Sequence, residues 1–255
     1  MPVELLAFPG IAAAVPGLVA GVTSRAGGVS RGAYASLNLG RSCGDEPDAV
    51  TENGRRLAAA LGATERVRFP RQVHGREVVV LDAVPAGPLP DADAVVTAVV
   101  GLPVGVLGAD CPGVLLADPV HRAIGVVHCG WRGTVAGVLL AAIEAMRARF
   151  GTDPGALRVG LGPGISARRY EVGPDVAQPI SASIPGGAAC LTPGRGDRRF
   201  LDLHEALRRQ ALAAGVPAAA IEAIARCTYD ERDRFFSHRR EGPATGRHGL
   251  VACLL

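Results

Sequence analysis

Residues 104 to 137 read VGVLGADCPGVLLADPVHRAIGVVHCGWRGTVAG, three apolar runs of strand length separated by short turns and followed by a glycine-rich step into helical spacing. Runs without polar alternation are those of strands buried in a sheet, not of strands with one wet face. They dictate an α/β fold with some α+β character: a mixed β-sheet covered by helices, not a pure doubly wound sheet. His128 stands at the C-terminal end of the third strand, where open α/β sheets place their ligands. Gly130 and Gly133 let the backbone turn closely before helical spacing begins at Val135. On this stretch alone, a histidine hydrogen-bonded inside a crowded turn is an equally good reading.

The rest of the chain fits the same architecture. Strands are predicted in GLVAGVTSRAGGVS, which leaves into a glycine-hinged loop, near residues 76–82 and 93–99, in LRVGLGPGIS, and in the closing GLVACLL, which is expected to be central to the sheet. A helix is predicted to start near DEPDAV, with Pro47 in its first turn and Val50, Leu57, Ala58 and Leu61 at helical spacing. A second helical stripe is Val135, Val138, Leu139, Ile143, Met146 and Phe150, and a third helix covers 203–214. The Pro/Gly-rich segments at 85–90 and 185–196 read as surface loops, so residues 1–255 are expected to form a single domain.

Composition removes several functions. All 27 basic residues are arginine, which excludes a Schiff-base lysine and a Walker-type lysine and leaves arginine to bind any phosphate. A net charge of +3 and 4% aromatic residues, with no basic stripe, give no footprint for nucleic acid. No apolar run reaches the length of a membrane span and MPVELLAFPG lacks a signal pattern, so a cytoplasmic enzyme without membrane contact is expected. The six cysteines show no CxxC pairing. Most are expected to be small buried apolar residues.

Three residues share a setting, a soft or imidazole side chain at a glycine- or proline-marked turn beside a strand. They are His74 in RQVHG, Cys111 in GADCPG and His128 in HCGWRG. Two imidazoles and a thiolate are zinc donors, and three protein ligands leave a fourth position open for chemistry. Spacing alone equally allows two hydrogen-bonded histidines and a buried thiol. A thiol amidase, with Cys111 as nucleophile and His128 as base, is the competing chemistry.

The motifs RQVHG, ADADAVVT, GADCPGVLLAD, HCGWRG, LGPGIS with YEVG, and FFSHRREGPATGR, in this order, resemble those of the laccase-domain family. Its members have been labelled polyphenol oxidases, peptidoglycan-editing factors and zinc-dependent purine nucleoside phosphorylases with adenosine deaminase activity. The resemblance runs from about residue 18 to the C-terminus. It implies Zn2+ held by His74, Cys111 and His128, and purine nucleosides and phosphate as substrates of a monomeric enzyme without a nucleotide cofactor. Three positions depart from the family pattern: Cys129 where alanine is usual, Ser42 where histidine commonly follows NLG, and His238 where tyrosine is usual.

Phosphorolysis needs arginine forks to hold phosphate, for which Arg25 in SRAGG, beside flexible glycines, and Arg71 in RQVHG are the leading candidates and Arg132 the third; Gln72 is a further expected substrate contact and Asn38 an expected ribose contact. Arg25, Arg71 and Arg132 are equally readable as surface ion pairs, and Asn38 as a turn-stabilising residue. Asp110, and with it Asp93, is expected to relay a proton in deamination or to orient a zinc-bound histidine. A multicopper oxidase needs many closely paired histidines. Six histidines, none adjacent, make copper chemistry at most a consequence of Cu2+ substituting for Zn2+.

Overall fold

Both faces of the central strands are covered, which is why their sequences show no polar alternation. In the computed structural model, which describes residues 1–255, the chain runs β1 (Leu5–Ala7), α1 (Pro9–Ala14), β2 (Leu18–Thr23), α2 (Pro47–Ala60), β3 (Val78–Leu81), β4 (Ala94–Thr97), β5 (Val104–Gly108), β6 (Gly113–Asp118) and β7 (Ala123–His128). It continues through α3 (Trp131–Ala136), α4 (Val138–Phe150), β8 (Arg158–Leu161), β9 (Glu171–Val172), α5 (Pro174–Ser183), β10 (Leu191–Pro193), β11 (Arg199–Leu201), α6 (Leu203–Ala213), β12 (Ile221–Ala223), α7 (His238–Glu241) and β13 (His248–Leu254).

The expected mixed sheet has six strands in the order β12-β8-β6-β7-β4-β3, parallel at β12–β8 and β3–β4 and antiparallel elsewhere. A second, antiparallel sheet, β1-β2-β13-β5, is separate from it. The apolar runs alone did not distinguish the two sheets. The C-terminal strand β13 lies inside this smaller sheet, between β2 and β5.

Side-chain alternation along the strands now has a meaning. On β6, Val114 and Leu116 enter one core with Leu139, Ile143 and Met146 of α4 and Leu207 of α6. Leu115 and Ala117, pointing the other way, enter a second core with Val22, Val106 and Leu250 of the smaller sheet. β7 divides likewise, Val127 facing the helices and Ile124 and Val126 the smaller sheet. The large sheet is thus the middle of three layers, and β6 and β7 bury apolar residues on both faces, apart from Asp118 and His128 at their C-terminal ends.

The helical stripe expected from Val135 to Phe150 is broken. Helix α3 starts four residues earlier, at Trp131, and ends at Gly137, whose φ of 82° is left-handed and restarts the chain as α4. A left-handed residue cannot sit inside a helix, so α3 is a short separate turn. That break lets α3 lean over the end of β7.

Candidate metal centre and cleft

The three donors come from three turns at one end of the large sheet. His128 is the last residue of β7, Cys111 lies in the β5–β6 turn, and His74 lies in the loop before β3. Their ligand atoms are all within 4.8 Å of one another, and the two imidazoles meet edge to face at 4.8 Å between ring centroids. A tetrahedral zinc holds such donors roughly 3.5 Å apart, so the set fits a single metal ion after a small contraction.

The carboxylate of Asp93, at the entry to β4, organises two of the three. It is fully buried. Its Oδ1 accepts from the His74 amide at 3.0 Å and from His128 Nδ1 at 2.8 Å. Its Oδ2 accepts from the amides of Val73 at 3.1 Å and Gly75 at 2.7 Å. Four donors on one carboxylate hold the His74 loop, where His74 itself has a φ of 59°. They also commit Nδ1 of His128, so that Nε2 is left for Cys111 and a metal. Burial alone would raise the Asp93 carboxyl, but the His128 and backbone hydrogen bonds outweigh it and hold it below its usual range.

Cys111 and His128 are an electrostatic pair. Burial opposes the Cys111 thiolate, yet hydrogen bonds and charge from His128 and His74 bring its pKa down to about 6. For His128, burial opposes the cation, while Asp93 and Cys111 raise it to about 9. A thiolate is therefore available at neutral pH, as metal ligation requires.

Glycine is needed where α3 crosses this cluster. A Cβ on Gly130 would lie 2.8 Å from His74 Cδ2 and 3.0 Å from Cys111 Sγ, and one on Gly133 would lie 3.0 Å from the Gly75 carbonyl oxygen. Cys129, between ligand and glycine, is fully buried and packs in the helix-side core. Burial pushes its thiol well above the usual range.

The triad opens onto a cleft of about 1070 Å³, at the upper end of small-molecule sites. Trp131, Arg132, Tyr170 and Arg239 line it together with His74, Cys111 and His128. Arg132 stacks on Trp131 at 4.4 Å and Arg239 on Tyr170 at 5.1 Å. Burial and the nearby Cys111 push the Tyr170 hydroxyl up to about 12.

Of the expected substrate contacts, Arg132, Arg71 and Gln72 line the cleft. Arg71 is exposed and paired with Asp91. The amide of Gln72 is spent on the backbone of Leu107, donating to its carbonyl and accepting from its N–H, both at 2.7 Å. Gln72 thereby fixes the His74 loop to β5 and has little left for a substrate.

Two expectations are corrected. Arg25 is outside the cleft lining, with Nε donating to the Ala35 carbonyl at 2.7 Å, a contact to Glu241 at 3.4 Å, and its guanidinium over Phe236. Asn38 is fully buried. Its amide donates to Asp45 and Gly40 and accepts from the amides of Gly40 and Arg247. It pins a turn, as asparagine in such sequences commonly does, and offers nothing to ribose.

Asp110 is also committed. Its carboxylate accepts from Thr228 Oγ1 at 2.7 Å and from the Arg239 amide at 2.6 Å, while its backbone φ of 93° shapes the Cys111 turn. Both oxygens are engaged, so the structure gives it a latching role between that turn and the C-terminal segment, not that of a free proton relay. Of the family departures, Ser42 and His238 both line the cleft and are exposed. Sequence reasoning passed over Tyr170 and Arg239, although both lie in the quoted motifs YEVG and FFSHRREG; nothing local in those strings marks them as facing Cys111.

A family model described as multi-copper polyphenol oxidoreductase laccase matches residues 19–255. A Streptomyces coelicolor protein named a purine nucleoside phosphorylase is 43% identical over 230 residues, 89% of this chain and 91% of the relative. One of the same name from Corynebacterium glutamicum is 40% identical, covering 91% and 92%. A crystal structure of a Neisseria meningitidis protein superposes with a TM-score of 0.89 at 35% identity, over 100% of this chain and 99% of that one. Sequence and fold agree over nearly the whole length, and the chain belongs to the multi-copper polyphenol oxidoreductase laccase family.

Proposed function

We propose that this chain is a zinc-dependent purine nucleoside phosphorylase, converting a purine nucleoside and phosphate to free base and ribose 1-phosphate, with adenosine deamination as a second activity of the same cleft. The observation that carries the reading is the convergence of His74, Cys111 and His128 in a cleft whose other walls are arginine and aromatic side chains. The names of the relatives support the same chemistry. The enzyme acts as a cytoplasmic monomer in this reading; no helix is long and apolar enough to cross a membrane.

His74, Cys111 and His128 would hold the metal, with Asp93 fixing the His128 imidazole through Nδ1 and the His74 loop through its backbone amides. When bound, the ion supplies Lewis acidity and lowers the pKa of a coordinated water. Trp131 and Tyr170 offer flat apolar surfaces to a purine. Arg132 and Arg239 flank Tyr170 and make no ion pair with a carboxylate; Arg239 donates Nη1 to the Glu171 carbonyl at 3.1 Å, which leaves its other guanidinium donors, and those of Arg132, for phosphate. Held beside C1′, a phosphate oxygen bonds to that carbon as the C1′–N9 bond breaks, and the departing purine nitrogen takes a proton. Arginine charge holds the nucleophile close while the sugar carbon is positive.

The Cys111–His128–Asp93 arrangement also suits a thiol amidase acting on peptidoglycan precursors, since the thiolate, base and orienting carboxylate are all present. His74 beside the same sulfur favours the metal. A copper oxidase is disfavoured by donor inventory: this triad is the one cluster of three or more His, Cys, Asp or Glu side chains able to hold a metal, whereas a multicopper oxidase needs several. Cu2+ could still replace Zn2+ in it. The test is to incubate metal-analysed protein with adenosine, with and without phosphate, and identify products. Adenine with ribose 1-phosphate is expected only with phosphate, and inosine in either case. Absence of both, with amide hydrolysis that survives chelation, would transfer the assignment to the amidase.

A further inference from the structure

The cleft holds more positive charge than one phosphate needs. Apart from Arg132 and Arg239, it is lined by Arg41, Arg66, Arg68 and Arg247, which enter from residues 39–42, residues 66–72 and the segment before β13. Arg41 and Arg66 are exposed and form no ion pair. Arg247 packs its stem against Gly40 and donates one nitrogen, Nη1, to the carbonyls of Thr245 and Gly246. Its Nε and Nη2 remain uncommitted.

Arg68 is the most telling of the four. Its side chain is only 10% exposed, its sole acid contact is Glu65 at 3.4 Å, and Glu65 is 43% exposed. The Arg68 Nε is buried without any acceptor. A buried guanidinium donor without a partner is costly, and like charges facing one cleft repel. Such a cluster is stable and useful when an anion neutralises it.

We infer that this wall is a second anion subsite, and that the cleft takes purine nucleosides carrying a phosphate on the 5′ carbon of the sugar. The inference rests on the phosphorolysis reading and names its substrate class. Inorganic phosphate occupies Arg132 and Arg239 beside the base-binding aromatics. The exocyclic 5′ carbon is the ribose position whose substituent extends beyond the ring toward a second wall. The reaction balances as before: the C1′–N9 bond breaks, its electron pair stays with the purine, which takes a proton, and phosphate oxygen bonds to C1′. The product is ribose 1,5-bisphosphate.

The experiment compares adenosine with adenosine 5′-monophosphate on the metal-loaded full chain, by turnover in saturating phosphate and by equilibrium binding. The exposed pair Arg41→Ala and Arg66→Ala, made together, tests the wall without disturbing the core; urea unfolding checks that the variant is folded. The proposal expects the monophosphate to bind at least about tenfold tighter than adenosine, a tenfold ratio being about 1.4 kcal/mol, and expects that preference to fall to near unity in the double variant. Equal binding of the two compounds, or a preference unchanged in the variant, overturns it. Inorganic diphosphate is the third probe: if it binds the same wall as tightly as the monophosphate and adenosine adds nothing, the subsite serves a free anion and the proposal also falls. If neither nucleoside is turned over but the monophosphate preference is present and arginine-dependent, the subsite stands and the phosphorolysis reading fails.

Discussion

Replacing Asp93 by asparagine should damage the site far more than loss of one charge suggests. All four contacts of the carboxylate are donors pointing at it, two to each oxygen. An amide can satisfy only one pair, because its NH2 must face the other. If the amide oxygen faces Val73 and Gly75, the NH2 opposes His74 N–H and His128 Nδ1. His128 can then accept only by moving its proton to Nε2, the nitrogen needed for a metal. If it faces His128, the Val73 and Gly75 amides lose their acceptor and the His74 loop is released. Either way one or two donors aimed at the buried position lose their acceptor, at about 1–3 kcal/mol each, a destabilisation of about 1–6 kcal/mol. Loss of a carboxylate partner of a ligating histidine also weakens metal binding by about 10- to 100-fold. Urea unfolding of the metal-free protein reads the first effect, and competition with a chromophoric chelator reads the second. Stability within about 0.5 kcal/mol of the parent and metal affinity within about twofold would refute the role given to Asp93.

The two neighbouring cysteines should behave oppositely: Cys111→Ala should lose metal and nucleoside turnover together, whereas Cys129→Ala should keep both, with a stability loss of about 1 kcal/mol from the small cavity, checked by elemental analysis and turnover. Gly130→Ala places a methyl 2.8 Å from His74 Cδ2 and 3.0 Å from Cys111 Sγ, so metal affinity should fall at least about tenfold while the circular dichroism spectrum is unchanged. Arg132→Ala should raise the phosphate KM, on the order of tenfold for one charge-assisted contact, while Arg25→Ala should lower stability and leave that KM alone. Burial, reinforced by Arg247, pushes His248 down to about 3 from an ordinary 6.5. The unfolded chain then takes up the proton first, so the contribution is intact above pH 6.5 and is lost as pH falls toward 3, by about 2 kcal/mol at pH 5. The difference in urea-derived stability between pH 7 and pH 5 should shrink by that amount in His248→Leu.

The strands around the site were legible because burial on both faces removes polar alternation, and because Pro112, Gly130 and Gly133 mark the turns between them. The triad was legible for the same reason: each donor sits at a marked turn. Separation of the strands into a six-stranded, a four-stranded and a small three-stranded sheet was not, since apolar β5 and β13 look the same whichever sheet they pair with. Arg25 packs outside the cleft because the glycines beside it serve close backbone packing and not an open anion loop; a Cβ on Gly28 would fall 2.0 Å from the Ser36 carbonyl oxygen. Asn38 shows the same limit, a polar residue at a turn whose partners, Asp45 and Arg247, are fixed only by the fold. Tyr170 and Arg239 reach the cleft through long-range contacts that no local pattern encodes.

The most direct test of the account is the metal dependence of phosphate-dependent adenine release. Protein prepared without chelator should contain about one zinc per chain, lose adenine and ribose 1-phosphate formation on chelation, and regain both on adding one equivalent of Zn2+. Metal-free protein that forms both products at the parental rate would contradict it.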